Sequence, residues 1–397
     1  MSRLRPGSLV GAAIARRVPR PGAADSPSAP KGTTRSGAPS AARRTRDSIA
    51  LETADARPVG GDGCSLGRSA VTPMPDRSRP LARVMFPVAV LAGALGKRLG
   101  FALRNRGLDA PARWFFALEH ATIRGYLDLM LHRHRATLER VAASPDPDPD
   151  PDPDPAAGAE MPAWVLWWQG RDAAPEIVRA CLDSAELNLR GVNVVLLDES
   201  AIRSRVDYSG RSSERIGHGD VPLTQLSDLV RIKLLRRFGG VWADATLLFL
   251  PGAELPVSPA GLITWRRAAP SDNTFVARGR WSTFLLGGPR ELPLWRLIDE
   301  VFEIYWTEHS RLVDYHLFDY LIDYLYRHDV GGTRALFDQV PPSNGDVHGL
   351  GALLLAGKSE AVERLADGGP RCFKLSYKAP LRTDWVTALA HGEPLPD

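Results

Sequence analysis

Apolar positions fall into three regimes along the chain. Residues 1–83 show no periodicity. Their Arg, Pro, Ser, Ala and Gly content and near absence of aromatics predict a segment that cannot bury enough apolar surface to offset its ordering entropy. Residues 84–142 carry a helical rhythm, with Trp114, Phe115, Leu118, Ile123, Leu127, Leu131 and Leu138 recurring at three- and four-residue steps. From residue 161 the pattern changes to short, densely apolar runs. A β-prone run over 164–168 ends at Gln169-Gly170. A helix is expected over 176–189, and a second buried strand over 192–197 ends at Asp198. Strand, helix and strand at this spacing form a βαβ unit, which implies a parallel sheet with a right-handed crossover. A further helix over 226–238 stops at Gly239-Gly240, and a strand over 241–243 runs directly into Asp244.

Between the second and third regimes lies a strict Pro-Asp alternation from Pro145 to Pro155. Proline fixes φ and the aspartates repel one another, so an extended, solvated linker is expected. Four segments follow: a basic tail (1–83), a helical segment (84–142), a linker (143–160) and an α/β catalytic domain (161–397). The 84–142 helices are expected to pack on the domain with Arg113, Arg124, Arg133, Arg135 and Arg140 on a solvated basic face. A membrane-surface helix is the competing reading.

Charge sharpens this division. The net +4 of the 397 residues hides a tail at +9 and a remainder at −5. The basic balance therefore says little about nucleic acid, and no nucleic-acid partner is expected. Three cysteines, Cys64, Cys181 and Cys372, fit neither a disulfide framework nor a metal knuckle and suit a reducing compartment. The longest apolar run, 84–96, is closed by Lys97 and Arg98, short of the roughly 20 residues a spanning helix needs. A cytoplasmic protein is expected, with peripheral contact at the inner membrane face as an open alternative.

The chemistry concentrates in 226–246, Leu-Ser-Asp-Leu-Val-Arg-Ile-Lys-Leu-Leu-Arg-Arg-Phe-Gly-Gly-Val-Trp-Ala-Asp-Ala-Thr. Asp228 and Arg231 lie three apart and share a helix face, while Leu229, Ile232, Leu235 and Phe238 make a core face. Asp244 emerges at a strand's carboxyl end, where open α/β sheets gather ligands. A hard carboxylate there suits a divalent cation bridging phosphates. Asp228 suits sugar or ribose hydroxyls, and Arg231 suits a phosphate through its planar donor fork.

These residues carry a resemblance. Trp167-Trp168-Gln169-Gly170, Leu197-Asp198, Ser227-Asp228-Leu229 with Arg231, Gly239-Gly240-Val241-Trp242 and Asp244-Ala245-Thr246 together resemble the capsular polysaccharide synthesis family of bacterial glycosyltransferases. That family is related to the glycosyltransferase group with a sugar-binding DXD region. The likeness continues more weakly through Asp314-Tyr315-His316-Leu317-Phe318 to Phe373-Lys374-Leu375-Ser376-Tyr377-Lys378, covering roughly residues 100–385.

The resemblance implies a GT-A-like fold with a mixed, mostly parallel sheet. It also implies a nucleotide-sugar donor, UDP-linked in type, a polysaccharide or glycolipid acceptor, Mn²⁺ or Mg²⁺, and retention of configuration. It assigns Asp244, Asp228 and Arg231 to catalysis. Trp167, Trp168, Gln169, Ser227, Asp228 and Arg231 are assigned to the donor, and Asp244 with His348 to the metal. Thr246 stands where the broader group has its second acid, which leaves Asp244 as the principal metal-side carboxylate.

Each assignment has a plainer competitor: an exposed ion pair for Asp228 and Arg231, a turn aspartate for Asp244, core packing for the tryptophans and an ordinary loop histidine for His348. Thr246 also keeps a second class open, a non-catalytic nucleotide-sugar-binding or scaffolding relative in a polysaccharide assembly complex. A dehydrogenase is disfavoured, because no Gly-x-Gly-x-x-Gly follows a strand.

Overall fold

Alternation along the two central strands sets the layers. In a computed structural model of the chain, β1 (Met161–Leu166) places Ala163 and Val165 in one apolar core and Trp164 in another. Its neighbour β3 (Gly240–Ala243) does the same with Val241 and Ala243 against Trp242. The two-residue period of a strand sends alternate side chains to opposite faces, so helices cover both sides of the sheet. The structure describes residues 78–144, 160–206, 210–212, 215–216, 220–269, 271–343 and 345–396. The expected tail, up to residue 77, and the Pro-Asp repeat lie outside them.

The sheet has the order β2-β1-β3-β6-β5, with β2 Val192–Leu197, β5 Ile263–Thr264 and β6 Leu285–Gly288. Strands β2, β1 and β3 pair in parallel. Strand β6 runs antiparallel to both β3 and β5, so it alone is reversed and the sheet is mixed but mostly parallel, as expected. Helix α4 (Glu176–Asn188) makes the β1–β2 crossover, a short helix α5 (Glu199–Arg205) follows β2, and helix α6 (Leu223–Phe238) leads into β3. The chain therefore leaves β1 toward one side and returns as β3 on the other, which opens a crevice at their carboxyl ends. A second, two-stranded sheet pairs β4 (Leu247–Phe249) antiparallel with β7 (Cys372–Lys374).

Two boundaries differ from expectation for local reasons. Strand β1 ends at Leu166, because the chain turns there and the Gly170 N–H donates to the Trp167 carbonyl at 2.9 Å. Helix α6 starts at Leu223, one residue after Pro222, whose extended backbone caps it. The Gly pair after α6 is a steric necessity. Gly240 has φ +90°, and a Cβ there would lie 2.3 Å from the Pro162 carbonyl oxygen.

The 84–142 segment forms three helices that share the domain's core: α1 (Ser78–Arg104), α2 (Asp109–His132) and α3 (Arg135–Ala143). Helix α1 runs past Lys97 and Arg98, so by length and apolar composition Val84–Arg104 is sufficient to cross a membrane. The charge that ended the apolar run in the sequence does not end the helix, because the Lys97 ammonium turns inward onto both oxygens of Asp314 at 2.5 Å. Helices α1 and α2 approach closely; a Cβ at Gly100 would meet the Phe116 ring at 2.5 Å.

Buried beneath this contact, Glu119 is fully covered and sits 3.7 Å from Lys97. Burial raises its pKa to about 8, against the pull of Lys97. The folded state thus keeps a proton that the unfolded chain releases near the ordinary value of 4.5, so stability falls as pH rises from about 5 to 8 and then levels. Glu119→Gln mimics the protonated form. It should leave the melting temperature at pH 5 nearly unchanged and make its decline toward pH 8 shallower. An identical decline in both proteins would contradict a protonated Glu119.

Candidate active site

Asp244 emerges from β3 with its backbone N–H bound to the Phe284 carbonyl at 2.9 Å. Its carboxylate is claimed from three directions. Oδ1 accepts from the Trp242 indole N–H at 2.9 Å, and the Arg231 guanidinium lies 3.5 Å away. Oδ2 accepts from the Lys374 ammonium at 2.8 Å. Burial works to raise the Asp244 pKa, but Lys374 and Arg231 outweigh it and hold the carboxyl below its ordinary range. The side chain is still 29 % exposed, so one side remains open to a ligand.

The β4–β7 pairing delivers Lys374. Register puts it opposite Leu247, and the Leu375 N–H donates to the Thr246 carbonyl at 2.9 Å. The Lys374 Nζ then donates to the Thr246 hydroxyl at 2.6 Å as well as to Asp244. A cavity of about 370 Å³ opens over this cluster. Its walls include Trp167, Ser227, Trp242, Asp244, Thr246, Lys374, Tyr377 and Lys378. The Trp167 ring meets Tyr377 edge-on, centroids 5.2 Å apart. The Trp167 indole N–H is buried without a hydrogen-bond partner among the described residues. A buried donor left unsatisfied beside a cavity points to a ligand or ordered water.

Arg231 supports the cluster from behind. It is 5 % exposed, and its guanidinium lies over Trp242 and Phe318 at 4.7 and 5.4 Å. It donates to the Thr283 carbonyl and sits 3.3 Å from Asp228. Asp228 in turn accepts from Gln225 at 3.1 Å. Burial raises the Asp228 pKa to about 7; Arg231 opposes the rise, while Asp244 and Asp319 add to it. Both the Arg231 Nε and the Gln225 Oε1 are buried without a partner among the described residues.

The structure therefore divides the expected site residues. Trp167, Ser227 and Asp244 line the cavity. Asp228 and Arg231 lie immediately behind it, tied to Asp244. Arg231 directs both terminal nitrogens at protein oxygens and leaves only a buried Nε without a partner among the described residues, so it positions the carboxylates and does not present a free fork to phosphate. Trp167 and Trp168 follow the strand and do not belong to it. Trp168 packs into the core on the α6 side, away from Trp167. Gln169 is exposed in the turn and is not among the cavity-lining residues.

His348 is likewise outside the lining. It is exposed, with its ring edge-on to Phe284 at 5.8 Å, and the Lys374 ammonium lies 6.0 Å from the same Phe284 ring. His348 is thus not brought into the cavity wall beside Asp244. Among the described residues no group of three or more His, Cys, Asp or Glu side chains could hold a metal. Lys374 and Tyr377 were not assigned from sequence. Their signal was the Phe-Lys-Leu-Ser-Tyr-Lys run, whose place opposite Thr246 depends on strand pairing across more than a hundred residues.

The family described as "Capsular polysaccharide synthesis protein" matches residues 147–386. A search of the curated proteins found no match. Among solved structures, one titled "PaToxG Glycosyltransferase" aligns at 13% identity and TM-score 0.33, covering 67% of this chain and 87% of that one.

Arg231→Lys should destabilise the fold although charge is conserved. An ammonium cannot serve Asp228, Asp244 and the Thr283 carbonyl together. Leaving buried acceptors unsatisfied costs about 1–3 kcal/mol. Urea unfolding reads this as a lowered midpoint. Superimposable curves for the two proteins would remove Arg231 from its positioning role.

Proposed function

The chain belongs to the capsular polysaccharide synthesis family and is a transferase, and from that premise we propose that it moves a sugar from a nucleoside diphosphate onto a polysaccharide or glycolipid acceptor. The donor would occupy the cavity at the carboxyl ends of β1 and β3. The observation that carries this reading is the Lys374 ammonium seated between Asp244 and Thr246 at the mouth of the topological crossover. This is a fixed positive charge where a diphosphate needs one. Lys378 adds a second cation to the lining, and the Trp167–Tyr377 pair offers aromatic surface for a base.

In the transfer, the bond from the anomeric carbon to the diphosphate oxygen breaks. The acceptor hydroxyl oxygen bonds to that carbon, and its proton passes to the departing diphosphate oxygen. Negative charge grows on the leaving diphosphate, and a donor already oriented toward it stabilises the transition state without reorganisation. Asp244 orients Lys374 for this task and is itself fixed by Trp242 and Arg231. Asp228, behind the cavity wall, acts through Arg231, 3.3 Å away. The resemblance favours a UDP-linked donor and retention of configuration.

The residues do not form a self-sufficient metal cage. They do fit a hard cation that is shared with a diphosphate, since Mg²⁺ commonly takes one or two carboxylates with substrate phosphates. Asp244 would be its protein ligand. Such a cation, when bound, neutralises phosphate charge. The hydroxyl of Thr246, at the place of the second acid, accepts from Lys374.

Nucleotide release and UDP binding test this reading. Lys374→Met should weaken UDP binding at least about tenfold by calorimetry, even with EDTA present, as expected for loss of a charge-assisted hydrogen bond. Asp244→Asn should lower turnover by roughly a hundredfold to a thousandfold. UDP affinity unchanged in the Lys374 variant would displace the diphosphate from this cavity.

A further inference from the structure

Helix α1 is apolar on two opposite faces, and only one of them is covered. The inner face packs Phe86, Ala89, Gly93, Gly96 and Gly100 against the rest of the protein. The outer face carries Leu81, Val84, Val88, Leu91, Leu95 and Leu99, which are 43 to 67 % exposed. Their spacing of three, four, three, four and four residues places them in a single narrow stripe along the helix. An exposed row of six branched apolar side chains is much more than the isolated hydrophobics of an ordinary surface. Trp114 and Leu118 of α2, 60 and 47 % exposed, and Leu108 of the connecting turn, 46 % exposed, add to the apolar surface of the same hairpin.

Charge identifies the occupant. Residues 78–118 contain seven Lys or Arg and one acidic residue, Asp109; Lys97 and Arg104 of these pair inward with Asp314 and Asp272. Arg98, Arg106 and Arg113 are exposed. An apolar stripe of Leu and Val with an exposed Trp and exposed arginines fits a helix lying in the plane of an anionic bilayer, apolar face in the acyl region and cations at the headgroups. The inner face argues against the same helix spanning that bilayer in the described state. It is held by Lys97 on Asp314, by Arg104 on Asp272 at 2.8 Å, and by the close approach to α2.

We propose that the outer face of α1, with the α1–α2 turn, docks this protein onto an anionic phospholipid surface. Lys97 ties the docked helix to Asp314, next to Tyr315, whose carbonyl accepts from Gln225 behind the cavity at 3.3 Å. Docking would therefore fix the candidate donor site relative to the lipid. The docking itself does not depend on that site's assignment.

Vesicle flotation of the full chain is the test, with phosphatidylcholine alone and with phosphatidylglycerol added. The wild type should float with the anionic vesicles, less with the neutral ones, and less again in high salt. Leu91→Glu combined with Leu95→Glu lies on exposed positions. It should cut the bound fraction at least about tenfold while leaving the melting temperature unchanged, because burial of the apolar stripe supplies the attachment. Arg98→Glu with Arg113→Glu should abolish the preference for anionic lipid. Three results would overturn the proposal: a wild type that stays with the soluble fraction, a Leu variant that floats as well as wild type, or sedimentation showing a dimer that the Leu variant dissolves and vesicles do not.

Discussion

A carboxylate at the end of a central strand is costly unless its charge is answered, and Asp244 is answered by an indole, a guanidinium and an ammonium from three separate parts of the chain. Trp242 comes from the strand itself, Arg231 from the helix before it and Lys374 from the last strand. Each supporter needs its own support. Arg231 lies buried against Trp242 and Phe318, and Lys374 is placed by the β4–β7 pairing. The arrangement makes the carboxylate an ordering centre: the parallel strands, the second sheet and the helical layer all converge on one half-open side chain. Partly buried ion pairs contribute little net stability, because desolvation offsets attraction. Their value here is geometric, holding an ammonium beside a cavity.

Much of this was legible in the sequence because it is local. The densely apolar runs at 164–168 and 241–243 announce buried strands, and Gly239-Gly240 marks the turn that delivers Asp244. The three-residue spacing of Asp228 and Arg231 put both on one helix face, where the structure finds them 3.3 Å apart. What the spacing could not reveal was the direction of the guanidinium. Phosphate was a natural partner for its donor fork, yet packing turns it onto protein oxygens and two aromatic faces.

The failures share a cause, which is long-range placement. Lys374 meets Thr246 only because β7 pairs with β4, and no local pattern encodes that register. His348 was expected from the resemblance, yet its ring packs edge-on to Phe284 outside the cavity wall. Trp167 and Trp168 read as strand because both are β-prone; the turn closed by Gly170 decides otherwise. Helix α1 shows the converse. Lys97 looked like the end of an apolar run, whereas its ammonium folds inward and leaves the outer stripe continuous.

The most direct measurement is a crystal structure with UDP and Mg²⁺ bound. The diphosphate should lie within hydrogen-bond distance of the Lys374 ammonium, between Trp167 and Asp244, with Arg231 still on Asp228 and the Thr283 carbonyl. Nucleotide bound elsewhere, with the Lys374–Asp244 pair and the cavity unchanged, would contradict this placement.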